Sequence, residues 1–334
     1  MYRFENDEDR KLKLLYERSG INERYAAIDD FFGNEAQSLF QKNTTPPSTA
    51  VRMEKYFQTA PQMAQLAVEK AIAGHIKKQE ITHLITVSCT GMAAPGLDIL
   101  LVENMGLNAD ISRTSVNFMG CYAAIHGLKL AHLMAQSDKN AKIVMVCVEL
   151  CSLHFQNASD WETIAANLLF ADGAAAALVT GDDYTGSHEC EILDFYSKIH
   201  LSGKNDMAWN ISDTGFLMSL SSYIPKLIES GVKELVSTAL EKHHLSVDDI
   251  SSWAIHPGGR KILEIIQTEL KLDVKHLKSS YEILYNYGNM SSPTVLFVLK
   301  DILEAQILDQ SKSNNIFMMA FGPGITMETA VLKK

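Results

Sequence analysis

Two hydrophobic periods take turns along the chain. Residues 60–78 (APQMAQLAVEKAIAGHIKK) place apolar side chains three and four apart, the spacing of one helix face, and the β-rich run at 81–89 (ITHLITVSC) follows as a buried strand. After a Pro95-Gly96 break the pattern predicts a short helix at 97–105, a strand at 112–118, a helix over 121–137 and a strand at 142–149. A further apolar strand follows Gly173, then a strand at 189–197, a helix at 219–244 and a strand-to-helix step at 251–267 (SSWAIHPGGRKILEIIQ). The tail predicts a helix at 290–308, a strand at 315–321 and a last strand from 325. Such alternation implies an α/β fold in which helices cover mostly buried sheets. The TTPPS stretch at 44–48 predicts an exposed loop rather than a domain boundary, because too little chain precedes it to form a core.

Composition narrows the function classes. With 334 residues, 46% hydrophobic and 21% charged, the chain can bury a large core as one large or two medium domains. Five cysteines without a CxxC pair support neither a disulfide framework nor a zinc site, so a reduced, cytoplasmic protein without metal is expected. The formal charge of -10 argues against nonspecific nucleic-acid binding, which rests on Lys and Arg meeting phosphates. The first ten residues are acidic and polar, and no run of about 18 apolar residues occurs, so neither a signal peptide nor a membrane span is predicted.

Three segments carry candidate chemistry. Met119-Gly120-Cys121-Tyr122 joins an apolar strand (TSVNF) to an amphipathic helix, and a cysteine opening that helix would face its positive end, which favours thiolate and lowers the thiol pKa. Gly120 permits a tight turn and leaves room for a thioester. The alternative is a small apolar core cysteine. His256-Pro257-Gly258-Gly259 fixes an imidazole at a strand end beside a compact turn, as an acid, base or donor requires, although a histidine before a turn is also common as structure. The other ten histidines lack this context and show no metal-like clustering. Asn289, in Tyr287-Gly288-Asn289-Met290-Ser291-Ser292, could cap the following helix or donate its amide to a developing oxyanion. Phe321-Gly322-Pro323-Gly324 is a glycine-rich turn without the Lys-Ser/Thr of a phosphate loop and reads as architectural.

Taken in order, the Gly-Cys helix start, LLFADGAAAAL, WAIHPGGRKIL, YGNMSS and FGPGITMET resemble the type III polyketide synthases, the chalcone- and stilbene-synthase-like family of the thiolase-like superfamily. The resemblance spans nearly the whole chain from Leu12. It implies a thiolase-like α/β fold of two related, layered halves, 1–188 carrying the nucleophile and 189–334 carrying the histidine and asparagine, with the site between them. It also implies that Cys121, His256 and Asn289 form a catalytic triad for decarboxylative Claisen condensation. Cys121 would take an acyl group from acyl-CoA; His256 and Asn289 would bind the malonyl-CoA carbonyl and stabilise the enolate. Phe170 falls where the family places a phenylalanine between CoA tunnel and cavity, and Met218 where a second one sits. Cys89, Thr90, Cys151, His154 and Ser291 fall on substrate-lining positions, with Cys151 and His154 departing from small hydroxyls. Lys11 and Arg18 approximate basic positions that meet CoA phosphates. Ala94 replaces a methionine that crosses a dimer interface. CoA thioesters would be substrates, no bound cofactor is implied, and a homodimer is expected. Family members begin with an earlier strand of the first sheet, so the chain as written reads as lacking it.

Other readings compete. A β-ketoacyl carrier-protein synthase uses the same three residue types for one condensation, but HPGG and YGNMSS favour the CoA-dependent family. A hydroxymethylglutaryl-CoA synthase requires a catalytic glutamate, for which Glu103 lacks context. A thiol protease conflicts with the α/β alternation. From another class, the chain could be a catalytically silent dimer partner, against which the intact triad motifs speak.

Overall fold

The computed structural model describes residues 7–31, 39–40, 45–158, 160–305 and 314–334. Its first sheet holds strands β1 (His83–Ser88), β2 (Ser112–Asn117), β3 (Lys142–Leu150) and β4 (Asp172–Thr180) in the order β2-β1-β3-β4. The first three run parallel, and β4 is antiparallel to β3. The second sheet holds β5 (Glu191–Ile199), β8 (Ile250–Ile255), β9 (Asn315–Gly322) and β10 (Thr326–Lys333) in the order β5-β10-β9-β8, with β8 and β9 parallel. A separate hairpin pairs β6 (Met207–Ser212) with β7 (Gly215–Leu220).

Two helices lie between the sheets. Helix α4 (Ala123–Ser137) presents Ala123, Ala124, Ile125, Gly127, Leu128 and Ala131 as buried positions, and α9 (Thr294–Glu304) buries Val295, Leu296, Val298 and Ile302. One continuous core therefore joins Ile85, Val87 and Met145 of the first sheet to Met318, Ala320 and Ala330 of the second. The small residues of α4 explain its place, because only a slim helix passes between two sheets at close-packed density. Outside the first sheet lie α2 (Thr49–Ile72) and α3 (Leu97–Met105); outside the second lie α6 (Ile224–Glu241) and α7 (Arg260–Glu269). Both sheets are covered on both faces, which is why β3 and β9 read as unbroken apolar runs rather than alternating ones.

The structure moves several predicted boundaries. The helix expected at 60–78 spans Thr49–Ile72, capped by Ser48, whose hydroxyl accepts the Val51 N–H, and the chain turns at Gly74 with φ +80°. The helix expected at 219–244 begins only at Ile224, with Pro225 in its first turn, because GFLMSL is strand β7. An apolar run of that length suits either element, and its partner β6 decides. Helices α1 (Asp7–Ser19), α5 (Trp161–Leu169) and α8 (Lys278–Tyr287), and the hairpin, went unpredicted. Of the 290–308 helix, 294–304 is observed and 306–308 lie outside the described residues. Residues 45–48 form the expected loop, and Thr44 lies outside the described residues.

Candidate active site

The site forms where parallel strands end, as open α/β sheets dictate. After β2, Phe118 (φ +60°) and Gly120 (φ +84°) reverse the chain so that Cys121 is buried, 8% exposed, before α4 begins. A Cβ on Gly120 would sit 2.2 Å from Pro323 Cδ, so only glycine lets the 321–324 turn press on the Cys121 loop. That turn holds the loop from the second sheet, and Gly322 packs on Tyr122 in the same way.

His256 follows β8, its N–H donating to Met319 O of β9 (2.8 Å). The ring is fully buried, yet neither Nδ1 nor Nε2 has a hydrogen-bond partner among the described residues. Burial alone holds its pKa down to about 3, so the resting imidazole is neutral. Asn289 lies between α8 and α9 rather than at the α9 cap, which is Pro293, so the capping role does not hold. Its backbone pairs with Leu169 and Phe170: Asn289 N–H donates to Leu169 O (3.0 Å), and Ala171 N–H donates to Asn289 O (2.8 Å). Leu169 also stands against the Gly259 turn of His256. The Asn289 Oδ1 accepts the Ser291 N–H (2.8 Å), which leaves Nδ2 as a donor, and the Cys121 thiol lies 3.9 Å from that Oδ1. Ser291 holds φ +59°, a backbone strain concentrated at this corner.

One expectation fails. The helix starts at Ala123, and the Cys121 thiol is pushed up to about 12, first by burial and further by the carboxyl of Glu149, with the Ser291 and Asn289 side chains opposing. Desolvation of a thiolate outweighs a helix dipole that acts only across its first turn. At rest Cys121 is therefore a thiol and His256 a neutral imidazole.

Glu149 was missed in sequence, although a lone carboxylate inside the strand KIVMVCVEL is a signal in itself. It is fully buried and joins three segments: Cys89 N–H (2.9 Å) and the Thr90 hydroxyl (2.8 Å) donate to Oε2, and the Ser292 hydroxyl (2.6 Å) donates to Oε1. Burial outweighs these three donors and raises its pKa to about 7.

The remaining candidates fall into two groups. Cys89 touches the Cys121 loop, its sulfur accepting the Gly120 N–H (2.9 Å). Thr90 has its hydroxyl consumed by Glu149 and Leu150 N–H. His154 is buried with both nitrogens used: Nε2–H donates to Thr90 O (2.8 Å), and Nδ1 accepts the Phe216 N–H (3.0 Å), while the ring stacks on Phe216 at 4.1 Å. Cys151 sits half-buried in the same turn, which Arg52 holds from behind by donating to Leu153 O and Phe155 O. Met218 pairs across the hairpin with Trp209, whose indole N–H donates to Cys89 O (2.7 Å). Phe170 is half-buried beside Asn289. Lys11 and Arg18 stand apart from all of these, exposed on α1 beside Trp161. Among the described residues no His, Cys, Asp and Glu group is placed to hold a metal ion, and no helix is long and apolar enough to cross a membrane.

Comparison with known proteins shows the family and the fold. Residues 4–183 match the family model of the chalcone and stilbene synthases' N-terminal domain, and residues 196–334 match that of their C-terminal domain. The chain is 30% identical over 322 residues to "Alpha-pyrone synthesis polyketide synthase-like Pks18" of Mycobacterium tuberculosis, covering 95% of this chain and 81% of that one. It is 31% identical over 329 residues to "Probable polyketide synthase 1" of Dictyostelium discoideum, covering 97% of this chain but spanning only 10% of that much longer protein. The crystal structure of PKS-I from the brown alga Ectocarpus siliculosus superposes with a TM-score of 0.91 at 30% identity, over 97% of this chain and 89% of that one. The layered thiolase-like fold implied by the resemblance is borne out.

Proposed function

Because the chain belongs to the chalcone and stilbene synthase family of type III polyketide synthases, we propose that it is an acyltransferase that extends an acyl-CoA starter with malonyl-CoA and releases a cyclised pyrone, resorcinol or related aromatic. The observation that carries the reading is the meeting of Cys121 with Asn289, residues 168 apart in sequence, and it is supported by a buried histidine at the end of β8, His256, whose two nitrogens have no partner among the described residues. Uncommitted polar atoms in a dry interior are otherwise unfavourable by about 1–3 kcal/mol each.

The chemistry follows from the protonation states. His256, neutral at rest, takes the Cys121 proton as the sulfur attacks the thioester carbonyl, and returns it to the departing CoA thiol. The acyl group then rests on Cys121. A malonyl-CoA carbonyl next accepts hydrogen bonds from the His256 N–H and the Asn289 Nδ2–H, which stabilise the enolate as CO2 leaves. The enolate carbon attacks the Cys121 thioester; a carbon–carbon bond forms and the sulfur departs. The chain, two carbons longer, is ready for another round or for ring closure. The similarity to polyketide synthases favours this reading over a single-condensation carrier-protein synthase or a silent partner.

Strand β2 is an edge among the described residues, and an edge strand that could take a partner strand from a second copy favours a homodimer, while five unpaired cysteines suit a reducing, cytoplasmic setting. The test is incubation of the purified chain and its Cys121→Ala variant with a panel of acyl-CoAs plus malonyl-CoA, following CO2 and products by mass spectrometry. Extended pyrones or resorcinols from the native chain alone are expected. A folded native chain that forms no Cys121 adduct and releases no CO2 with any pair would sink the proposal.

A further inference from the structure

Helix α5 ends where the site begins, and an α-helix leaves its last carbonyls without partners inside the helix. Three carbonyls at this end are met from elsewhere in the chain. That of Leu169 accepts the Asn289 N–H (3.0 Å), while those of Asn167 and Phe170 both accept from Nη1 of Arg24, the second at 2.8 Å. Arg24 stands half-buried in the link that follows α1. A cation suits this place, because the carbonyl end of a helix is its negative pole.

The same link grips the other half of the joint. The Asn22 and Glu23 N–H groups donate to Tyr285 O (2.8 and 3.3 Å), and the Tyr25 ring packs on Tyr287 with centroids 5.6 Å apart. The Arg24 stem covers Gly288, where a Cβ would come within 2.8 Å of Arg24 Cγ. Gly288 precedes Asn289, and Phe170 is the residue whose backbone pairs with Asn289. One side chain therefore clamps both segments of the bridge on which Asn289 stands: its stem bears on one, and its guanidinium is bonded to the other. A side-chain amide is aimed by the backbone that carries it, and a misplacement of about 1 Å can slow a reaction about 100-fold.

We propose that Arg24 is a positioning residue for malonyl-CoA decarboxylation, holding the Phe170–Asn289 bridge so that the Asn289 amide meets the enolate. The role rests on the condensation reading above and adds to it a residue that acts through the backbone of Phe170 and Asn289 rather than on the reacting atoms.

The test separates the two half-reactions on the native chain, Arg24→Met, Arg24→Lys, Asn289→Ala and the double variant Arg24→Met with Asn289→Ala. Decarboxylation is followed as CO2 released from malonyl-CoA, and loading as the Cys121 adduct by intact mass with the acyl-CoA that labels the native chain. Arg24→Met is expected to slow decarboxylation about tenfold with loading unchanged, and to add nothing in the Asn289→Ala background, since two residues acting through one donor are not additive. Arg24→Lys leaves a cation and a single donor at the helix end, so it keeps the fold and loses about threefold with the same split. Both steps falling together, a full tenfold loss added to Asn289→Ala, or Arg24→Lys at the native rate would overturn the assignment. A native chain without decarboxylation removes the synthase reading and this role with it; an active chain without the split removes this role alone.

Discussion

The wall that the first sheet brings to the site and the wall that the second brings differ in what their polar atoms are doing. On the first, every polar group named is engaged inside the protein: Glu149 takes three donors, Thr90 donates and accepts, and both His154 nitrogens are bonded. On the second, neither His256 nitrogen has a partner among the described residues, and Asn289 accepts through Oδ1, which leaves its Nδ2 to donate. The difference teaches where rigidity and reactivity are kept. A saturated network holds the Cys121 loop at a defined place, and the groups of the second wall stay available for charge that appears only during reaction.

The contrast can be broken most sharply on the open side. Replacing Asn289 by Ala is expected to slow malonyl-CoA decarboxylation by about 100-fold or more, the usual loss for one preorganised donor, while intact-mass measurement still shows Cys121 loading. Equal loss of both steps would mean that Asn289 supports the loop rather than the enolate. Next in size is the joint between the walls. Gly120→Ala brings a Cβ into Pro323 at a backbone angle that side chains rarely adopt, and a destabilisation of about 2–4 kcal/mol in urea titration is expected.

On the saturated side, His154→Phe keeps a ring for stacking on Phe216 but strands the Phe216 N–H and the Thr90 carbonyl, a change of about 1–3 kcal/mol in the same titration. A further effect distinguishes the walls by pH. Glu149 has a folded pKa near 7 against 4.5 unfolded, so its contribution is present below pH 4.5 and is lost as pH rises through about 7. The Tm of the native chain should therefore fall relative to Glu149→Gln across that window; a constant gap would show that the three donors keep the carboxyl ionised. His256 runs the other way. Its pKa near 3 against 6.5 unfolded makes its contribution full above pH 6.5 and lost as pH falls towards 3, a slope that His256→Phe should remove.

Much of this was legible in one dimension. Cys121, His256 and Asn289 stood out because each sits at a strand or helix end marked by glycine and proline, and such signals are local in the chain. Glu149 and Arg52 were not seen, since what makes them notable is complete burial, and a glutamate or arginine in an unfolded list looks like any solvated charge. The hairpin escaped for a related reason: GFLMSL becomes a strand only beside MAWNIS.

What the residues alone determined is the alternation of strands and helices, the order of the motifs, and hence the family and the candidate nucleophile, because periodicity and turn chemistry act between near neighbours. What only the tertiary structure decided is the charge each group carries. A helix start argued for a thiolate at Cys121, but the closing of two sheets around it removed the water a thiolate needs, and burial is a property of distant chain segments meeting rather than of any one of them.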